Sequence, residues 1–333
     1  MHIVVCVKAV PSSTEVKMDP VTHTIVRDGR ESVVNPFDAA ALEVALAIKD
    51  ERAAAGEGCR VSVLSMGIPA TEALLRDGIA RGASDALLLS DRAFAGADTL
   101  ATSYALSCGI RELGSAGMGD AAASGASEQR AAAPGSAAPG TPEGGTAAPG
   151  SAAPGIPEGG TAMPGSAVPG APEHGEAAPG PSLPDLILCG KMAVDGDTAQ
   201  IGPELAGLFD MPCVTDVREL VAIERGRVTV RHATDAGIEL VEVPLPAVLT
   251  VAKDIAQPRM PSIAGVRAAA GVPVAVLSAA CVQADPARSG LAGSPTQVVR
   301  SFVPERSDTC EVLEGSVPEQ AARIIALAEE AGL

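Results

Sequence analysis

The residues Pro184 to Glu204, PDLILCGKMAVDGDTAQIGPE, carry the pattern best suited to chemistry. Leu186 to Cys189 is a short apolar run, and Gly190 ends it. Asp195, Gly196, Asp197 and Thr198 make a small polar turn, and Ala199 to Leu208 resumes helical spacing. A strand that opens through glycine onto backbone N–H groups and a helix N-terminus suits the phosphates of a nucleotide. The same pattern also serves as an ordinary β–α turn. Other signatures are missing: no GxxxxGKS/T loop, no GxGxxG after the first strand, no GxSxG elbow and no HExxH. His2, His23 and His232 read as surface residues of strands or loops, and none is assigned chemistry.

The elements that must position this turn follow an α/β rhythm. Residues 3–10, IVVCVKAV, form an apolar run typical of a strand buried on both faces, and not a signal peptide. Asp38 can cap a helix to about residue 53. Arg60–Met66 and Ala86–Leu89 are strands, with a helix after Pro69 between them and another over Asp98–Leu113. This alternation predicts a parallel sheet. Residues 114–183 break it. They repeat a fifteen-residue unit from Gly135, Gly150 and Gly165, and carry six acids against Arg130 alone. Too few bulky apolar residues are present to offset chain entropy, so the stretch reads as a disordered insertion. It serves as a tether, or as a loop the fold tolerates. Arg227–His232 and Glu239–Val243 alternate around a turn and predict an antiparallel hairpin, and Ala247–Val251 is another buried strand. From Asp254 to about Val317 no strong periodicity appears, so that stretch reads as extended and supported by something else; a helix over 318–331 closes the chain. The expected division is 1–113 and 184–253 as two parts of one α/β domain, 114–183 as the insertion, and 254–333 as an arm.

Composition narrows the partners. The net charge is −17, with no Trp and one Tyr among 333 residues. Nucleic acid and anionic membrane surfaces are disfavoured, and single-strand readers need aromatic platforms that this chain lacks. Basic partner surfaces suit it better. The seven cysteines show no CxxC pair and no metal-ligand spacing, so they read as reduced core residues of a cytoplasmic protein.

Several loop segments at strand ends occur in a specific order: VCVKAVP, RDGRESVVNPFDAAALEVAL, SMGIPATEALLRDGIARGASDALLLSD, CGKMAVDGDTAQIGPELAGLFDMP and, more weakly, TVAKDIAQPRMPSIAG. Together they resemble the beta subunit of an electron transfer flavoprotein across nearly the whole chain outside 114–183. The resemblance implies a Rossmann-like, adenine nucleotide alpha hydrolase-like domain. It implies a heterodimer with an alpha subunit that carries FAD, and an arm over 254–333 packed on that subunit. It places a nucleotide against Ala9, Asn35, Pro36, Phe37, Asp38 and Met66. On the other side it places Gly190, Lys191, Asp195, Gly196, Asp197, Thr198, Ala199, Gln200 and Ile201.

In simple members that nucleotide is AMP. In the electron-bifurcating group it is a second FAD, which takes hydride from NADH. One electron then goes to a low-potential acceptor such as ferredoxin or flavodoxin, and the other, through the alpha FAD, to an acyl-CoA dehydrogenase-like partner. The loop Ser90–Thr99 is similar to that of the bifurcating group, which sets Asp91, Arg92, Phe94, Asp98 and Thr99 beside a flavin. Arg92 would act there as a fixed cation and Phe94 as a packing surface; the alternatives are a surface ion pair and a core contact. The loop TVAKDIAQPRMP is similar to the family's partner-recognition loop, with Lys253 and Arg259 as its cations. After Ile263 the sequence departs from the family's basic segment, with Arg267 alone. A reading from another class is a universal-stress-type nucleotide-binding module, folded as a homodimer.

Overall fold

The computed structural model describes residues 1–12, 32–115, 183–299 and 312–332. Expectations for His23, Cys310 and almost all of the insertion fall outside the described residues. Those up to Gln297 form one compact unit, and those from Val298 onward belong to a second.

Alternation of apolar residues builds the first unit. In β1 (His2–Cys6), Ile3 and Val5 face one side, and Val4 and Cys6 face the other. β4 (Arg60–Met66), β5 (Asp85–Leu89), β6 (Leu186–Gly190) and β10 (Ala247–Val251) repeat this two-sided burial, as expected of parallel strands covered on both faces. Helices α1 (Pro36–Ala54) and α2 (Glu72–Arg81) cover one face; α3 (Thr99–Ser115) and α4 (Ile201–Phe209) cover the other. The sheet runs β11 (Val274–Leu277), β5, β4, β1, β6, β10, β7 (Cys213–Glu224), β8 (Arg227–Thr234), β9 (Gly237–Pro244). The strands from β11 to β7 are parallel; β8 and β9 extend the sheet antiparallel.

Strand order reverses at β1. The chain steps outward through β4 and β5, then returns to place β6 on the other side of β1. The turns that leave these two neighbours head to opposite faces, the arrangement that in open α/β sheets places a ligand crevice at the carboxyl edge.

Four expectations change. The apolar run 3–10 is not one strand: it breaks at Val7–Lys8, and β2 (Ala9–Pro11) pairs antiparallel with β3 (Ser32–Val34). The hairpin has a third strand, β7, whose pairing with β8 shifts register twice, which hides its alternation in the sequence. His2 and His232 are partly buried rather than on the surface, and His2 Nε2 lies 2.9 Å from Ser62 Oγ. Burial, with Arg60 nearby, holds the His2 imidazole below its ordinary pKa. Of the cysteines, Cys6, Cys108 and Cys189 are core residues, but Cys281 is exposed.

The stretch after β10 also differs from the extended segment expected. It packs back on its own domain through α5 (Ile263–Ala269) and ends as edge strand β11 beside β5. Arg259 fixes its start. Its guanidinium holds Glu43 at 2.8 Å and Asp50 at 2.8 Å, both on α1, while Arg81 donates to its carbonyl at 2.9 Å. Arg259 is therefore an internal clamp, and Lys253 is left as the exposed cation of that loop. In the second unit, α6 (Val317–Glu330) begins with a capping box between Ser316 and Glu319. None of its residues is buried, and Ile324 and Ile325 are exposed.

Arg259→Lys keeps the charge but loses the planar fork. The expected result is faster proteolysis between residues 253 and 262 and a stability loss of about 1–2 kcal/mol. Unchanged cleavage and an unchanged denaturation midpoint would contradict the clamp.

Candidate functional site

The centre of the crevice is one carboxylate. After β1, Val7 N still donates to Leu64 O at 2.8 Å, but Lys8 N turns away and donates to Asp38 Oδ2 at 2.8 Å. Gly190 N, at the end of β6, donates to Asp38 Oδ1 at 3.0 Å. Asp38 is not the helix cap. Pro36 begins α1 and Asn35 holds the N-cap position; Asp38 lies within the first turn and reaches across to two other turns. Position near a helix N-terminus favours its charge. Burial works against it, outweighs the hydrogen bonds from Lys8, Asn35 and Gly190, and pushes the carboxyl up to about 7.

Asn35 repeats the bridge one layer out. Its N–H donates to Lys8 O at 2.9 Å, its Nδ2 to Met192 O at 2.9 Å, and its Oδ1 accepts from Val194 N at 3.2 Å. Lys8 Nζ pairs with Asp195 at 2.6 Å. Gly190 has no room for a side chain: a Cβ would collide with Asp38 Oδ1 and lie 2.6 Å from Phe37 Cβ. The turns after β1 and β6 are thus one bonded unit.

Beyond this clamp the backbone presents donors. Asp195 to Gln200 are exposed, and Asp197 and Ala199 adopt left-handed φ values of 49° and 54°. Among the described residues, the N–H groups of Thr198, Ala199 and Gln200 donate to no protein acceptor. Free amides in such a turn, followed by the N-terminus of α4, form a concavity for anionic oxygens. This donor set fits the phosphates of a nucleotide.

The loop Ser90–Thr99 meets the same turn. Thr99 Oγ1 lies 2.9 Å from Gln200 Oε1 and 3.0 Å from Glu204 Oε1, and Ser103 Oγ donates to Glu204 Oε2 at 2.7 Å. Within the loop, Asp91 and Asp98 accept backbone N–H groups, and Phe94 is buried with Leu89 and Tyr104 in the core. Arg92 is exposed, and its guanidinium has no partner among the described residues. Lys191 is turned to Asp216 at 2.8 Å, where its amine is neutralised. Ala9 and Met66 follow β1 and end β4 on the same edge, and both are partly buried. Glu204 and Lys8 were missed as connectors. Lys8 carried a signal, as the one charge inside an apolar run; Glu204 reads in sequence as an ordinary first-turn acid.

Among the described residues no helix is long and apolar enough to cross a membrane. A family model described as "Electron transfer flavoprotein domain" matches residues 22–138 and 177–281. The chain is 38% identical over 304 residues to the electron transfer flavoprotein subunit beta of Megasphaera elsdenii, covering 91% of this chain and 88% of that one. It is 34% identical over 322 residues to the Caffeyl-CoA reductase-Etf complex subunit CarD of Acetobacterium woodii, covering 97% and 95%. With Protein FixA of Azotobacter vinelandii the identity is 33% over 318 residues, covering 94% and 88%.

Asp38 links this site to pH. Its folded pKa of about 7 lies above the unfolded value of 3.8. Between those values the folded chain keeps a proton that the unfolded chain releases, so this contribution to stability falls as pH rises and is flat outside the window. Asp38→Asn removes the titration but turns an NH2 toward one backbone N–H, at about 1–3 kcal/mol. The parent should exceed the variant most near pH 4, and the gap should narrow steadily through pH 5 and 6 to about pH 7 in urea denaturation. A gap constant with pH would contradict this assignment.

Proposed function

The chain belongs to the electron transfer flavoprotein family as a beta subunit, and on that premise we propose that it holds FAD in the crevice above β1 and β6. In a heterodimer with an alpha subunit it takes part in oxidising NADH. The electrons divide between a low-potential acceptor, ferredoxin or flavodoxin, and, by way of the alpha-subunit FAD, an acyl-CoA dehydrogenase-like partner. The setting is cytoplasmic.

The observation that carries this reading is the contact of Thr99 with Gln200 at 2.9 Å. It joins the loop that the resemblance sets beside a flavin to the turn with three free backbone donors. One ligand in the crevice would meet both. Thr198, Ala199 and Gln200 supply amides for its phosphates, and the Thr198 hydroxyl adds a donor. Asp38 and Asn35 hold the two turns at a set separation. When bound, the flavin supplies the redox chemistry. Arg92 is a cation free to favour negative charge on a ring system at the rim. Exposed Ile324 and Ile325 on α6 suit burial against an alpha subunit. The name of the Acetobacterium woodii relative, which puts it in a complex with a CoA-ester reductase, agrees with such a partner.

A second reading has its own observation. Asp91, Asp98 and Phe94 are committed to backbone bonds and core packing. That favours a simple subunit with structural AMP, in which the loop touches no flavin. A universal-stress-type module loses its ground, because the family match spans both halves of the α/β unit.

The experiment is the cofactor content of the purified heterodimer. Two FAD per dimer, with bleaching on addition of NADH, is the expected result. One FAD plus one AMP would overturn the bifurcating reading and leave the simple carrier.

A further inference from the structure

The loop Ser90–Thr99 has little structure of its own beyond a short 3-10 turn at Arg92–Phe94. A later segment, Ala279–Thr296, holds it along its length. Ser90 N first donates to Leu277 O at 3.0 Å, at the end of β11. Asp91 then divides its carboxylate: Oδ1 accepts Ala93 N at 3.0 Å within the loop, and Oδ2 accepts Ala279 N at 3.0 Å from the segment. Leu291 N donates to Ala95 O at 3.0 Å. Gly290, at φ 55°, presses so close that a Cβ would collide with Ala93 O and lie 3.0 Å from Ala95 O.

The far end is held as firmly. Asp98 N donates to Ser294 Oγ at 2.8 Å, and Ser294, a buried residue, donates through its hydroxyl to Gly290 O at 2.8 Å. Asp98 Oδ2 accepts Thr296 N at 3.1 Å and Thr296 Oγ1 at 2.9 Å, while Oδ1 accepts Ala101 N at 3.1 Å. Desolvation opposes it, but these bonds hold the Asp98 carboxyl below its usual range, so it is an anion in all ordinary buffers. Tyr104 anchors the middle of the segment: its hydroxyl accepts Asp285 N at 2.9 Å, and Arg288 stacks 4.0 Å from its ring centre.

Both acids of the loop are consumed by backbone and segment, and Arg92 between them is left without a partner among the described residues. A carboxylate free to swing would pair with Arg92 and neutralise it. We infer that Ala279–Thr296 is a strap that positions the Arg92 loop, with Ser294 and Thr296 as positioning residues that hold Asp98 to the segment and leave the guanidinium unneutralised. The inference deepens the proposed function and rests on its reading that this loop faces a flavin. A fixed, unneutralised cation acts more strongly on a bound ring system than a mobile, paired one. Neither Ser294 nor Thr296 is among the residues assigned to the ligand.

The test is Ser294→Ala with Thr296→Val in the heterodimer, with Thr296→Val alone as the milder variant should the pair fold poorly. Hydrogen exchange without added nucleotide should quicken about ten-fold or more at residues 91–98, and stay unchanged in β1, β4 and β6. Flavin content should match the parent, and the beta-site flavin should become harder to reduce. Arg92→Gln alone should shift the potential the same way and add little in the strap variant, because both act through one cation. Thr296→Ser should restore both readouts. Unchanged exchange, or an unchanged potential in a heterodimer with two FAD, would overturn the strap. A parent with AMP in place of the second FAD would overturn the flavin reading, and exchange at residues 91–98 would then decide the strap alone.

Discussion

A single buried carboxylate holds the working edge of this fold together. In the reversal of strand order, β1 and β6 lie side by side, but their following chains leave in different directions. Their turns would end with unpaired N–H groups in a buried place. Asp38 accepts both, one on each oxygen, and an unmet donor in such a place is expensive. The arrangement also explains Gly190, because the carboxylate occupies the space of a side chain. Asn35 extends the bridge to Met192 and Val194. Loosening this point would separate the turn that offers amides from the turn that frames it.

Charge is distributed around that edge with economy. The chain carries a net −17, yet most acids around the site are spent on local tasks, with Asp197 left exposed in the turn. Asp195 neutralises Lys8, and Asp216 neutralises Lys191. Asp91 and Asp98 serve backbone amides. Among the described residues, Arg92 is left at the rim without an ion pair, beside a row of free backbone dipoles. Free amides and an unpaired cation favour anionic groups even on a molecule of net negative charge.

Much of the fold was legible in the sequence, and the reasons differ by element. Two-sided strands such as Leu186–Cys189 and Ala247–Val251 show as apolar runs because both faces are covered. Arg60–Met66 was legible to the residue for the same reason. The segment after Asp254 was not. Among its described residues the one strand, Val274–Leu277, has four residues and relies on the edge that β5 offers. The bulges of β7 hid its alternation. At the site, residue types pointed to turns that the structure brings to one edge of the sheet, but not to the tasks of their side chains. Asp38 reads as a helix cap, since sequence shows its own helix and not the amides of Lys8 and Gly190. Phe94 reads as a ring-stacking surface until packing shows it in the core, and Arg259 reads as a docking cation until Glu43 and Asp50 are seen against it.

An adenine nucleotide held as proposed, in the crevice clamped by Asp38, would touch three turns at once. Hydrogen exchange of the purified chain, followed peptide by peptide with and without FAD or AMP, reads this most directly. The expected result is slower exchange together at Lys8–Ala9, Asn35–Asp38 and Gly190–Ile201, with the β7–β9 extension unaffected. Protection confined to that extension, or to only one of the three turns, would contradict it.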